Sequence, residues 1–259
     1  MPIYARLALA TTPLTEGAEV TPTALSDTKV TLTPQEYGAT VTKTRLASLQ
    51  TGGMVDVAAA QTVGFNWGQT MDKLAIIAAS ATSNILTPQG TAVTSLASTD
   101  IINASFLNKM YNKLERAMVP KIVNGLYVAV LHPDVIFDLR NNAAAGSWTD
   151  IVKYQNPELA LTNAVAVYCG FLIVQDTQLA FANANGATNL VDAYDGLYLG
   201  MNGLGKAVSR PGQIIFKDSL DAMNRFAHVS WYEVSAYGIV DATAVWRGVT
   251  ASSIGANLT

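Results

Sequence analysis

The sequence predicts an α+β fold in which helices and strands occupy different stretches of the chain. Residues 54–80 carry apolar side chains three or four positions apart, the spacing of a helix that packs on one face. Residues 227–252 are rich instead in β-branched and aromatic residues, which favour strands. The chain has 259 residues and no internal repeat, so we expect helices packed on sheets in one large or two modest domains.

The N-terminal part of the sequence predicts extended structure. Residues 1–25 are rich in threonine and proline and lack a helical period, so they cannot bury enough side chain to fold alone. We expect a disordered tail or an arm that a neighbouring subunit orders. Residues 28–46 predict a β-hairpin, because apolar residues and threonines alternate on both sides of a turn at 34–38. The hairpin is too polar to form its own core and needs a surface to lie on.

Gly52 and Gly53 interrupt the chain just before the long helix. Gly64 and Gly68 lower the helix propensity of the segment that follows, which indicates close approach of another backbone at these positions. The apolar stripe of this helix consists of Ala60, Val63, Trp67, Met71, Leu74 and Ala78.

The middle of the chain predicts one further long helix and several short elements. The helix should span 99–118, with a cap at Thr99 and Asp100 and an end before Pro120. The other predicted elements are a strand at 125–131, a short helix at 133–140, and strands at 164–168, 171–176 and 196–200.

The charge composition indicates association. Charged residues make up 14% of the chain, against about 25% in ordinary globular domains. Lysine and arginine number 16 and aspartate and glutamate 19, which gives a net charge of -3. That balance argues against a sequence-general nucleic-acid binder, which carries a basic stripe. A surface so sparsely charged associates in water, so the composition indicates a subunit of a larger assembly.

Two motifs look like catalytic or nucleotide sites, and both are incomplete. The stretch Gly200 to Lys206 matches GxxxxGK, but Ala207 stands where a nucleotide loop needs the Ser or Thr that holds magnesium. His132 precedes Pro133 and an aspartate, yet neither a nucleophile elbow nor a second histidine at metal-ligand spacing accompanies it. Cys169 is the only cysteine, which excludes an intramolecular disulfide and a Cys-rich zinc site. We therefore expect no catalytic, cofactor or metal site, and no membrane span, since no apolar run reaches about 18 residues.

Four segments, taken in order and spacing, resemble the major capsid proteins of tailed bacteriophages with the Hong Kong 97-type fold, in particular a podovirus-type branch. They are TLTPQEYGATVTKT at 31–44, YVAVLHPDVIFDLRNN at 127–142, DGLYLGMNGLGKA at 195–207 and HVSWYEVSAYGIVDATAVWRGVTASS at 228–253. The double glycine and the long helix lie between the first two segments. The resemblance covers most of residues 28–252.

The resemblance implies a modular map of the chain. Residues 1–25 would be an N-terminal arm and residues 26–51 an extended hairpin, called the E-loop. A peripheral domain would combine residues 52–85, which contain the long spine helix, with the C-terminal strands at 226–259. Residues 86–225 would form an axial domain, whose loops meet around the five-fold and six-fold axes of a shell.

The same resemblance implies candidate contact residues. A hairpin without a core would lie across the adjacent subunit, with Val30, Leu32, Tyr37 and Val41 as the candidate contacts. Gly52 and Gly53 would be the hinge at its exit.

The implied function is that of a structural major capsid protein, without catalysis, which self-assembles into the icosahedral shell of a phage head around double-stranded DNA. The implied partners are copies of the chain, as hexamers and pentamers, and packaged DNA without sequence-specific contact. A scaffolding protein, a portal and minor decoration proteins are further partners of such a shell. The implied location is the virion, assembled in the host cytoplasm. Two alternatives stay open: a cellular nanocompartment shell of the same fold around a cargo enzyme, and a nucleotide-binding enzyme built on Gly200 to Lys206.

Overall fold

Two β-sheets and one long helix organise the computed structural model. The structure describes residues 2–4, 9–17, 19–24, 27–90, 92–122, 124–142, 167–179, 181–185, 189–218, 223 and 225–254. The helices are α1 (Arg45–Gln50), α2 (Met54–Ser80), α3 (Ala104–Arg116) and α4 (Pro133–Asn141). The first six strands are β1 (Pro2–Tyr4), β2 (Asp27–Lys29), β3 (Gln35–Thr44), β4 (Ile85–Leu86), β5 (Tyr127–Leu131) and β6 (Val167–Tyr168). The others are β7 (Phe171–Gln175), β8 (Phe181–Asn185), β9 (Asn189–Leu199), β10 (Leu204–Asp218), β11 (Phe226–Ile239) and β12 (Val245–Ala251).

Three antiparallel strands, in the order β10–β11–β3, form a sheet with α2 on one face. We call this unit the helix–sheet layer. Along β11 every second side chain from Val229 to Ser235 is buried, because successive side chains of a strand point to opposite faces. The apolar core of the layer is formed by Ala59, Val63 and Met71 of α2 with Val229 and Trp231 of β11.

The second sheet has seven strands, in the order β4–β12–β9–β5–β7–β6 with β8 paired to β9. Its core includes Phe106, Leu107, Met110 and Leu114 of α3, Leu139 of α4, and Tyr127, Phe171 and Tyr198 of the strands. The last turns of α2 also reach this sheet, where Ile76 and Ala79 pack with Leu197 and Val245. The long helix therefore packs against both sheets.

The long helix is confirmed with the predicted bounds, 54–80. Val63 and Met71 of the predicted stripe are buried, whereas the last turns bury Ile76 and Ala79 because they meet a different sheet. The close backbone approach predicted at the helix glycines is wrong within the described chain. A Cβ added at Gly68 would meet nothing within 4 Å, and one added at Gly64 would meet only the Ile214 side chain, at 3.9 Å.

The second helix begins later than predicted, at Ala104 instead of Thr99. Asn103 is its N-cap and accepts a hydrogen bond from the Phe106 N–H at 2.8 Å. Asp100 instead closes a turn by accepting from the Ala97 N–H at 2.9 Å. The prediction placed the cap wrongly because an aspartate side chain stabilises a tight turn as readily as a helix start.

The central elements are confirmed with small shifts in their bounds. The predicted strand at 125–131 is β5 and the predicted helix at 133–140 is α4. The predicted strand at 171–176 is β7, and the one at 196–200 is only the end of the longer β9. Of the predicted strand at 164–168, residues 164–166 lie outside the described part of the chain, and the rest is β6. None of the helices in the described part is long and apolar enough to cross a membrane.

The predicted hairpin at 28–46 is wrong in its pairing. β3 pairs along its whole length with β11, from Gln35 opposite Ser235 to Thr44 opposite Phe226. β2 pairs instead with β1, in a separate two-stranded sheet. Alternation of apolar and polar residues predicts a strand but does not select its partner, and β11 offers a partner long enough for all of β3.

The strand pairing also departs from the predicted domain map at two places. The predicted axial domain, 86–225, includes β10, whereas in the structure β10 pairs with β11 beneath α2. β12 was placed in the peripheral domain, at 226–259, but it lies in the seven-stranded sheet beside β9. The chain passes between the two sheets at tight connections before β10 and before β12, which composition does not mark as boundaries.

Candidate inter-subunit surface

One end of the helix–sheet layer is built by a sharp reversal of the chain. β3 leads directly into α1, where Thr44 accepts a hydrogen bond from the Ala47 N–H at 3.3 Å. Gly52 and Gly53 then join α1 to α2 with φ angles of +61° and +87°. Glycine favours this left-handed conformation because it lacks a Cβ. The Gly53 N–H donates to the Ser48 carbonyl at 2.9 Å and so closes the end of α1.

Asp56 ties the start of α2 to the strand and to the short helix. Its carboxylate pairs with the Lys43 ammonium at 2.7 Å and accepts from the Ser48 hydroxyl at 3.0 Å. The hydrogen bonds from Lys43 and Ser48 lower the pKa of Asp56 below its ordinary value. Polar contacts therefore hold the reversal together, and the apolar side chains of α1 take no part in them.

Those apolar side chains are exposed. α1 buries none of its residues, and Leu46 and Leu49 are 64% and 75% exposed. Large exposed side chains at the same end also come from the start of α2, from the end of β10 and from the start of β11. We define the apolar end as Leu46, Leu49, Met54, Val57, Phe216 and Phe226. Isolated apolar residues are normal on a protein surface, whereas clustered exposed apolar side chains are typical of contact sites, so the apolar end is the candidate contact surface.

The four predicted contact residues differ in their burial and in what they pack against. Val41 is exposed on β3, and Val30 is half-buried. Tyr37 packs against the core of the helix–sheet layer. Leu32 packs directly over Gly238 of the same chain, where an added Cβ would overlap it. Sequence reasoning missed the leucines of α1, although two leucines between polar residues just before a double glycine were a usable signal.

The double glycine yields a prediction. Replacing both Gly52 and Gly53 by alanine should cost about 2 kcal/mol, because each position then holds a left-handed φ with a Cβ. The loss should appear as a lower melting temperature of the unassembled chain and as reduced yield of assembled particles. Gly90→Ala, at a φ of +75° in another loop, is the control for strain and should not reduce assembly. Unchanged assembly of the double variant would contradict the role of the hinge.

A buried carboxylate lies at the centre of the helix–sheet layer. Glu233 on β11 is 1% exposed. It accepts a hydrogen bond from Trp67 Nε1 at 2.7 Å and pairs with the Lys206 ammonium at 2.8 Å. Burial alone would raise the pKa of Glu233, but the hydrogen bonds from Lys206, Trp67 and Ser235 outweigh burial and lower it. The carboxylate therefore stays ionised and links α2 to β10 and β11.

This carboxylate predicts acid sensitivity. Because its folded pKa lies below the ordinary value of 4.5, its stabilisation is complete above that pH and is lost as pH falls through the folded pKa. Glu233→Gln should lower stability by about 2 kcal/mol at neutral pH, where the ion pair is lost. The difference from wild type should shrink as pH falls below 4.5 and through the folded pKa. Thermal unfolding of wild type and Glu233→Gln from neutral to acidic pH measures this difference in stability. A difference that does not change with pH would refute the stabilising role of the ionised Glu233 carboxylate.

The nucleotide-site alternative does not fit the structure. Lys206, the lysine of GxxxxGK, is engaged by Glu233. The glycine-rich turn at 201–203 leads into β10, whereas a phosphate loop leads into a helix whose N-terminus faces the phosphates. Residues 209–212 are also not helical. They form two bulges within β10, an edge strand of the described sheet, where a proline is tolerated because no ladder hydrogen bond is required of it.

His132 has a structural role. Its Nδ1 accepts a hydrogen bond from the Asp134 N–H at 3.3 Å, as the N-cap of α4, and its ring stacks on Tyr194 at 4.5 Å. The Tyr194 hydroxyl donates to Asp134 at 2.6 Å. Burial and the neighbouring Asp134 raise the pKa of Tyr194, so it stays protonated and donates. Among the residues that the structure describes, no group of three or more His, Cys, Asp or Glu side chains could hold a metal ion.

Comparison with solved structures identifies the fold. The capsid asymmetric unit of cyanophage Pam1 matches 98% of this chain and 84% of its own, with a TM-score of 0.75 and 14% identity. The capsid of Ralstonia phage GP4 matches 98% of this chain and 83% of its own, with a TM-score of 0.77 and 14% identity. The head structure of Helicobacter pylori bacteriophage KHP40 covers 96% of this chain and 84% of its own, with a TM-score of 0.68 and 12% identity.

These matches confirm the predicted fold class. The chain has the α+β Hong Kong 97-type fold and matches these phage capsid structures over nearly its whole length. No protein-family model and no curated protein matches the sequence. The fold is therefore established by comparison of structures. The sequence identities of 12–14% mean that most side chains differ from those of the matched capsids.

Proposed function

We propose that the chain is a structural major capsid protein, without catalysis, whose copies assemble into the icosahedral shell of a tailed-phage head. The observation that carries this proposal is the match of 98% of the chain to phage capsid structures at TM-scores of 0.75 and 0.77. Two features of the chain support it. Only 14% of its residues are charged, and the apolar end exposes large apolar side chains, which is typical of surfaces that bind another protein.

The partners follow from this role. Copies of the chain, grouped as hexamers and pentamers, would form the shell, with double-stranded DNA inside and the virion as the location. A portal, a scaffolding protein and minor decoration proteins would be further partners of such a shell. Within the subunit, residues 1–25 would act as the arm, and residues 26–51 would present Val41 and the leucines of α1 to a neighbour.

Several contacts of modest size would drive assembly. Each would bury apolar surface worth about 25 cal/mol per Å², of which only the surplus over association costs stabilises the shell. A closed shell repeats every contact many times. Small changes at one contact should therefore have large effects on particle yield.

Particle size tests the proposal. Sedimentation velocity and electron micrographs of the purified chain, alone and with a supplied scaffolding protein, should show closed icosahedral particles of megadalton mass. A chain that stays at 27.4 kDa in both conditions would contradict the proposal. The contents separate the two kinds of shell, since a phage head encloses double-stranded DNA whereas a nanocompartment encloses a cargo enzyme.

A further inference from the structure

The exposed face of α3 carries a row of cations. Lys109, Lys113 and Arg116 follow one another at helical spacing of four and three residues, opposite a buried face that includes Met110 and Leu114. The overall charge of -3 argues against a general nucleic-acid binder, but residues 109–116 carry three cations and one carboxylate, Glu115, so the sign of the charge is reversed locally on this helix. We call these three side chains the α3 cations.

Within the described part of the chain, no carboxylate forms a salt bridge with the α3 cations. Glu115, the acidic residue of the helix, pairs instead with Lys121 at 2.8 Å. The Lys109 ammonium donates to the Pro88 carbonyl at 3.3 Å, and the Lys113 ammonium lies 5.7 Å from the centre of the Trp246 ring. Both partners are neutral, so the positive charge of the face is not neutralised.

The α3 cations line a groove of about 600 Å³. The rest of its lining consists of three polar residues of α3, Ser105, Asn108 and Asn112, and one apolar residue, Leu86. A helix C-terminus attracts cations and accounts for Lys113 and Arg116 in the last turn, but this effect does not reach Lys109 near the middle of the helix. The groove thus combines cations with hydroxyl and amide donors, the side chains that contact phosphate oxygens in protein–DNA complexes.

We propose that this groove contacts the phosphate backbone of duplex DNA without reading its sequence. This inference rests on the proposed function, because it assigns to α3 the surface of the subunit that meets the enclosed genome. The α3 cations extend over about 10.5 Å of helix axis, the length that holds about three phosphates of one DNA strand. Charge complementarity selects the occupant: phosphates are anionic, and the walls offer donors and no carboxylate from the described residues.

The test measures DNA binding by the full-length, unassembled chain. A labelled duplex of arbitrary sequence is titrated by fluorescence anisotropy at several salt concentrations. Three phosphate contacts predict that binding weakens about 40-fold between about 50 and about 200 mM salt. Lys109→Gln/Lys113→Gln/Arg116→Gln should lose this affinity and this salt dependence. The control removes the same charge from exposed positions outside α3, in the triple variant Lys29→Gln/Arg45→Gln/Lys217→Gln. It should keep the affinity for DNA and the salt dependence of wild type.

Each outcome decides the proposal. If the α3 variant and the control lose affinity equally, binding reflects net charge and the groove is not a site. If the α3 variant binds DNA like wild type but fails to form shells, the groove contacts an acidic surface of a second copy, and the proposal is overturned. Failure of the wild-type chain to form particles would refute the proposed function alone, since the titration uses unassembled chain and still reports on the groove.

Discussion

Replacing Leu46 and Leu49 by serine is expected to abolish shell formation while the subunit stays folded. α1 buries none of its residues, so the two side chains contribute little to the fold. Burying each at a contact should contribute about 1.5 kcal/mol, the lower end for a leucine. Losing about 3 kcal/mol weakens each contact about a hundredfold, and a closed shell repeats that loss at every copy of the contact.

The measurement compares sedimentation profiles and particle counts for the variant and for a matched control. Ile77→Ser/Phe137→Ser removes two other exposed apolar side chains, 56% and 46% exposed, from α2 and α4 away from the apolar end. Assembly lost only in the α1 variant would support the apolar end as the contact. Shells at wild-type yield from the α1 variant, with unchanged melting of the subunit, would remove α1 from the interface.

The long helix was predictable because its signal is local. Apolar residues three and four positions apart fix a helix wherever any apolar surface covers them, so Val63 and Met71 could be named as buried without knowing their partner. The choice of partner is not local. Residues 39–44 have the alternation of a strand, yet they pair with β11, nearly two hundred residues away, and not with their sequence neighbours. Pairing depends on the length and shape of the partner, which alternation does not encode.

In the candidate surface too, features set by local sequence were predictable and features set by a distant or separate partner were not. The double glycine was a visible signal, and both residues do have positive φ angles. The exposure of the α1 leucines was not visible, because a leucine pair on a short helix looks the same whether a core or a neighbouring subunit covers it. Tyr37 and Leu32, which the resemblance implies as contacts between subunits, are half-buried against their own chain, and their part in such a contact stays a prediction.

Gly212→Ala is expected to destabilise the helix–sheet layer by about 3 kcal/mol. A Cβ at this position would overlap the Trp67 ring and stand 2.9 Å from Glu233 Oε2. The ring cannot simply move away, because its Nε1 donates to the same carboxylate at 2.7 Å. The variant must therefore strain the sheet or break a hydrogen bond to a buried charge, and each costs about 1–3 kcal/mol.

Thermal unfolding of the unassembled chain should show this as a melting temperature lower by about 10 °C. Gly68→Ala is the matched control, since it places the same methyl group on α2, directly after Trp67 in the sequence, where nothing lies within 4 Å. That control should instead gain about 0.5–1 kcal/mol, because alanine favours a helix interior over glycine. A lower free energy of unfolding for Gly212→Ala and a higher one for Gly68→Ala would show that the lost stability comes from the contact between Trp67 and β10. A neutral Gly212→Ala would mean that the ring and the buried carboxylate do not hold α2 on its sheet, and the acid sensitivity assigned to Glu233 would then lose its structural basis.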